Sequence, residues 1–200
     1  REEIMARLKN GRKIRTDPTG FEFPLFREMD SSPELLFKKK LEEVNGKAEL
    51  FDTEQDCYQA LKESLIEFSA SGIHCSEPAI QSILDKNQVP YTNSRVLPET
   101  IEVGITGCEY LIAETGSALV SSRQKGARKL FVYPPRHFIL AHRKQIIMTL
   151  EEAYEAILKK YQSGLPSQLL LITGPSRTAD IEKILTLGAH GPKQLHVFLF

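Results

Sequence analysis

The chain has 200 residues, 41% of them hydrophobic and 26% charged, with 26 Lys+Arg balanced by 26 Asp+Glu. That composition can fill its own core, and the absence of net charge argues against a domain that wraps nucleic acid, which carries a basic excess. Three cysteines (Cys57, Cys75, Cys108) without a C-x-x-C pair exclude a conventional zinc or four-cysteine iron–sulfur site and fit a reducing compartment.

Residues 1–30 read as a separate N-terminal helix and arm. Ile4, Met5 and Leu8 fit one face of a short basic helix, which the turn residues from Arg12 to Gly20 break. Phe21, Phe23, Leu25 and Phe26 around Pro24 suit an extended segment that covers its own domain or a partner.

Residues 31–200 read as an α/β domain. A helix starts near Ser32, with Pro33 in its first turn and Leu36, Phe37, Leu41 and Val44 on one side. A strand from Ala48 to Phe51 follows. Thr53 caps a helix carrying Cys57, Leu61, Leu65 and Phe68, so Cys57 reads as a core thiol. Ser76 caps the next, with Pro78, Ile80, Ile83 and Leu84.

After Pro98 the apolar runs shorten and crowd together. Ile101–Thr106, Tyr110–Ala113, Ala118–Ser121, Leu130–Tyr133, Ile139–His142 and Gln145–Met148 are strand candidates. Thr149-Leu150-Glu151-Glu152 is a capping box opening a helix with Ala153, Ala156, Ile157 and Tyr161, ended by Gly164. Strand Gln168–Thr173, helix Ala179–Leu187 and strand Gln194–Phe200 complete a three-layer α/β pattern. No apolar run is long enough to span a bilayer and no signal-peptide core is visible, so a cytoplasmic location is expected.

Two polar, glycine-containing strand ends stand out. In Gly174-Pro175-Ser176-Arg177-Thr178 an apolar strand runs into a turn before the expected helix. Free N–H groups there, the Ser176 and Thr178 hydroxyls and the Arg177 guanidinium suit a phosphate or carboxylate. A well-capped helix, with Asp180 complementing its dipole, is the even alternative: it explains Ser176, Thr178 and Asp180, and Gly174 and Arg177 less well.

The other end joins Thr106-Gly107-Cys108-Glu109 to Glu114-Thr115-Gly116-Ser117. A carboxylate closing a buried strand, as Glu114 does, is costly unless paired or used. It reads either as an acceptor for turn N–H groups or as a catalytic nucleophile or base. Cys108 reads as a small buried residue unless a histidine lies beside it. The five histidines show no metal spacing. His137, in a turn after Pro134-Pro135, is placed to reach a pocket, and His190 reads as a cation at the end of the last helix.

The run Gly104 to Ser117 resembles the central motif of the lactate-utilisation (LUD) domain, the LutC/YkgG family. Gly174 to Glu182 and Leu187-Gly188-Ala189-His190-Gly191-Pro192 resemble its C-terminal signature, and Arg1-Glu2-Glu3-Ile4 resembles its usual start. The resemblance implies a fold of the NagB/RpiA/CoA-transferase-like type. It also implies a cluster-free subunit acting beside two iron–sulfur subunits (LutA- and LutB-like) in oxidising L-lactate to pyruvate. Carried over by motif, Thr106, Gly107, Glu114, Thr115, Gly116, Ser117, Gly174, Ser176, Arg177, Thr178 and Asp180 become site-formers for an anionic ligand. Two alternatives stand beside this: a stand-alone CoA-transferase-like or nucleotide- or phosphometabolite-binding enzyme using Glu114, and a purely structural interaction protein.

Overall fold

A computed structural model describes residues 32–94, 96–124, 128–179, 185–187 and 190–200. The expected N-terminal arm lies outside the described residues.

Helix α1 (Pro33–Glu43) starts as its sequence dictates, the Ser32 hydroxyl accepting from Leu35 N–H, and buries Leu36, Phe37 and Leu41. Strand β1 (Lys47–Leu50) leads to α2 (Glu54–Leu65), whose Thr53 cap accepts from Asp56 N–H at 3.1 Å and which buries Cys57, Leu61 and Leu65. Strand β2 (Ile73–Cys75) was not anticipated, being only three residues long. Helix α3 (Pro78–Lys86) follows. Its cap position is Glu77, not Ser76, because the Ser76 hydroxyl is hydrogen-bonded to His74 Nε2 at 3.2 Å.

Strands β3 (Val103–Thr106), β4 (Tyr110–Ile112) and β5 (Ser117–Ser121) lie at the expected places. The expected strand Leu130–Tyr133 is instead a series of turns. Residues Leu130 and Phe131 are apolar because they are buried from a loop, not because they pair. Strand β6 (Arg136–Ala141) starts earlier than its apolar run suggested, directly after Pro135, so His137 is a strand residue rather than a turn residue. The short β7 (Ile146–Ile147) precedes α4 (Leu150–Lys160), whose Thr149/Glu152 capping box is formed as read.

Strand β8 (Leu169–Ile172) is followed by a further correction. Arg177–Ala179 and Leu185–Leu187 are strands, β9 and β10, paired antiparallel with Thr178 opposite Thr186, where a helix Ala179–Leu187 was expected. His190 is therefore in a bend and not at a helix end. The last strand is β11 (Gln194–Leu199).

Five strands form a fully parallel sheet in the order β1-β11-β6-β3-β2, and a second sheet has the order β7-β4-β5-β8. Because side chains alternate across a strand, the parallel sheet has two apolar faces. Val103, Ile105, Phe138, Leu140 and Phe198 pack on α2 and α3. Ile139, Ala141, Leu195, Val197 and Leu199 pack on α1 and on Leu111, Ala113, Ala118, Val120 and Ile172 of the second sheet. The second sheet turns Ile112 and Leu119 outward onto Ala153 and Ile157 of α4. The layered α/β arrangement read from the sequence is the one observed, with the crowded middle strands making a sheet of their own.

Candidate functional site

In parallel sheets the loops that follow the strands' carboxyl ends are where ligands are met. After β2 the chain continues into Ser76-Glu77, and after β3 into Gly107-Cys108-Glu109. Glu77 Oε1 accepts from Gly107 N–H at 2.9 Å, and Gln124 Nε2 bridges Glu77 Oε1 (3.3 Å) and the Gly107 carbonyl (3.0 Å). Gln145 Nε2 holds the Cys108 carbonyl at 2.6 Å.

Among the described residues Glu109 is the buried carboxylate, 4% exposed. It accepts from the Ser121 hydroxyl, from Tyr161 OH at 2.6 Å and from Lys160 Nζ at 2.7 Å. Burial pushes its pKa up, but the three donors and the ammonium charge outweigh burial and hold the carboxyl below its ordinary range. Among the described residues Glu77 has no cation partner, and burial carries its carboxyl upward against the bonds from Gly107 and Gln124. Cys108 lies between the two carboxylates, and burial, then Glu77 and Glu109, push its thiol up, so it is a protonated core thiol.

Lys160 is the link between Glu109 and solvent, its side chain half exposed. Its ammonium lies 5.6 Å from the Tyr161 ring centre and 6.0 Å from that of Tyr110, and Arg123 stands 6.0 Å over Tyr161. Arg123 donates to the Gly164 carbonyl at 3.2 Å and Arg128 to the Ser167 hydroxyl. Among the described residues neither guanidinium has a carboxylate partner. Of these three cations Lys160 is the one paired with Glu109, so the two guanidinium groups leave a positive surplus among the described residues that suits an anion.

The residues singled out from the sequence fall into three places. Thr106 Oγ1 donates to the Gly107 carbonyl at 3.0 Å and meets His137 Nε2 at 2.7 Å. With that hydroxyl hydrogen directed at Gly107, His137 carries its proton on Nε2 and leaves the Nδ1 lone pair without a partner. His137 is fully buried, and burial lowers its pKa to about 3, so it is a neutral core histidine and does not reach solvent.

Glu114 is exposed, and its Oε1 accepts from Leu150 N–H at 2.8 Å, completing the start of α4. The desolvation cost that made it a candidate catalyst is absent. Thr115 is exposed beside it. Gly116 has φ +63°, and a Cβ there would press on the α1 backbone, 2.6 Å from Lys40 C and against Leu41 N. Ser117 Oγ meets Thr173 Oγ1 at 2.6 Å, so the two glycine-containing motifs are neighbours.

What lies against them is α1. Gly174, at φ +78°, would put a Cβ 2.8 Å from the Val44 carbonyl, and the Arg177 guanidinium donates to that same carbonyl at the C-terminus of α1. Ser176 N–H donates to the Pro192 carbonyl at 2.8 Å. No helix begins at Thr178, so the Ser176 N–H and the Arg177 guanidinium are engaged by the Pro192 and Val44 carbonyls rather than left free at a helix start. Asp180 lies outside the described residues.

Glu77, Ser121, Gln124, Gln145, Lys160 and Tyr161 were not singled out for the site. One signal was available: Lys160 and Tyr161 stand three and four residues after Ile157, on the stripe that Ala153 and Ile157 bury. A lysine on a core-facing stripe needs a carboxylate, and Glu109 is it.

A parallel sheet backed by helices and faced by a second small sheet, with polar residues gathered after β2 and β3, defines a layered α/β domain. Residues 35–200 match the LUD domain family. The chain belongs to that family. It is 35% identical over 96 residues to Lactate utilization protein C of Deinococcus radiodurans, covering 48% of this chain and 44% of that protein. It is 33% identical over 96 residues to the uncharacterized protein YkgG of Escherichia coli, covering 47% and 42%. These matches span less than half the length of either relative. The crystal structure of a DUF162 family protein from Deinococcus radiodurans superposes with a TM-score of 0.64 at 19% identity, over 84% of this chain and 98% of that one, and shows the shared fold.

Proposed function

We propose that this chain is a cluster-free subunit of an L-lactate-oxidising complex in the cytoplasm, beside iron–sulfur subunits of LutA- and LutB-like type. The names of its relatives support the pathway. Three buried cysteines, too few for a four-cysteine cluster, support leaving the redox clusters to the partners. The anion-receiving face in this reading is the one formed by Lys160, Arg123 and Arg128 over Glu109, rather than the Gly174–Thr178 turn. The observation that carries it is the buried Glu109 at the family's central motif, joined to solvent through Lys160, with two guanidinium groups that have no carboxylate partner among the described residues.

The bound anion is a small carboxylate of the lactate class. Its charge would meet Arg123, Arg128 and the outer side of Lys160, while Tyr161 and Glu109 fix the lysine's position. The test is reconstitution with the two iron–sulfur subunits and dye reduction on L-lactate. Turnover should require this chain, fall with Arg123→Gln/Arg128→Gln, and be absent from the chain alone. Full lactate oxidation by the isolated chain, or a complex equally active without it, sinks the proposal.

A further inference from the structure

The second sheet has four strands and one helix. Strands lie about 4.8 Å apart, so this face is roughly 15–20 Å wide, whereas a helix with its side chains covers about 10–12 Å. Helix α4 rests on β4 and β7 and reaches Leu119 of β5. Among the described residues nothing covers the outer side of β8. A groove of about 200 Å³ runs there, lined by Leu119, Leu150, Tyr154, Ile157, Leu169 and Leu171. Around it Leu150, Tyr154, Leu158, Leu165 and Leu171 are each between 41% and 54% exposed. Among the described strands β8 is also the edge of its sheet, with one row of main-chain groups unpaired.

We propose that this face binds the same face of a second copy of the chain. Five large apolar side chains exposed to this degree offer roughly 400 Å², near the largest patch usual on a monomer and half of the ~800 Å² each partner brings to a standard interface. Main chain and polar rim supply the rest. The surface complements itself in shape, since the flank of α4 is a ridge lying beside the trough over β8. A two-fold axis sets ridge into trough in both copies. It also complements itself in charge. Helix α4 has Glu151 and Glu152 in its first turn and Lys159 in its last, so two antiparallel α4 helices place the acidic turn of one beside the basic turn of the other.

Sedimentation velocity on the full chain across the micromolar range tests this. The expected result is a dimer whose dissociation constant rises at least tenfold in Tyr154→Glu and in Leu171→Lys. Circular dichroism and melting should be unchanged, because both side chains are exposed. In addition, Tyr154→Cys should cross-link with a bis-maleimide as a covalent dimer, the three native cysteines being buried. A monomer at every concentration overturns the proposal, including one that binds the iron–sulfur subunits through Tyr154. So does a dimer whose affinity neither variant alters.

Discussion

Replacing Lys160 with Met keeps most of the side chain's bulk and removes the cation that neutralises Glu109. The carboxylate keeps Ser121 and Tyr161 as donors but stays 4% exposed with no opposite charge. Breaking a fully buried pair costs about 3–5 kcal/mol; since the Lys160 side chain is half exposed, screening brings the expected loss to about 2 kcal/mol at neutral pH. The loss must also depend on pH. In the wild type the Glu109 carboxyl is held below its ordinary value, so it contributes stability above the unfolded pKa, and this fades as pH falls through the folded one. In Lys160→Met burial dominates and raises the carboxyl, so the variant recovers stability relative to wild type as its Glu109 takes up a proton. The difference should therefore shrink on acidification, at up to about 1.4 kcal/mol per pH unit. Urea melts at pH 7.5 and 5, with Glu109→Gln/Lys160→Met as the partner double variant, read this directly. A loss that is the same at both pH values, or that the double variant does not reduce, refutes the electrostatic account and leaves Lys160 as packing only.

Gly116→Ala should cost about 3 kcal/mol or more, combining the left-handed backbone with a Cβ driven into the α1 main chain. Gly107→Ala, whose Cβ would find its nearest neighbour at an ordinary 3.4 Å, should cost less than about 1 kcal/mol in the same denaturant series. Arg177→Ala should lower stability by about 1 kcal/mol through the lost helix-end contact at Val44, and calorimetry with pyruvate should find anion affinity unchanged. Tighter or lost anion binding in that variant would return the C-terminal turn to the binding surface.

The helices were legible wherever local chemistry decides: Ser32, Thr53 and Thr149 each precede an apolar stripe, and each caps the helix it announces. Four of the five parallel strands were legible as short apolar runs, because burial leaves no alternation to mistake. The missed strands share a cause. Ile73–Cys75 and Leu185–Leu187 are three-residue strands that exist because a neighbour is there to pair with, and nothing in three residues announces that neighbour. The site was half legible for the same reason. Glu109 stood inside the motif, but its meaning depends on Ser121, Lys160 and Tyr161, which the fold brings to it from three other segments.

The position of β11 has a consequence for how the chain is made. It lies between β1 and β6, so Lys47–Leu50 has no sheet partner until Gln194–Leu199 has been synthesised. On the ribosome α1 and β1 emerge first and must wait, with the apolar faces of Leu36, Phe37 and Ala48 uncovered, for the strand that joins them to the rest. Such long-range closure slows folding and lengthens exposure to aggregation. It also makes this domain intolerant of cuts near β11, since losing that one strand divides the sheet into pieces that no longer touch.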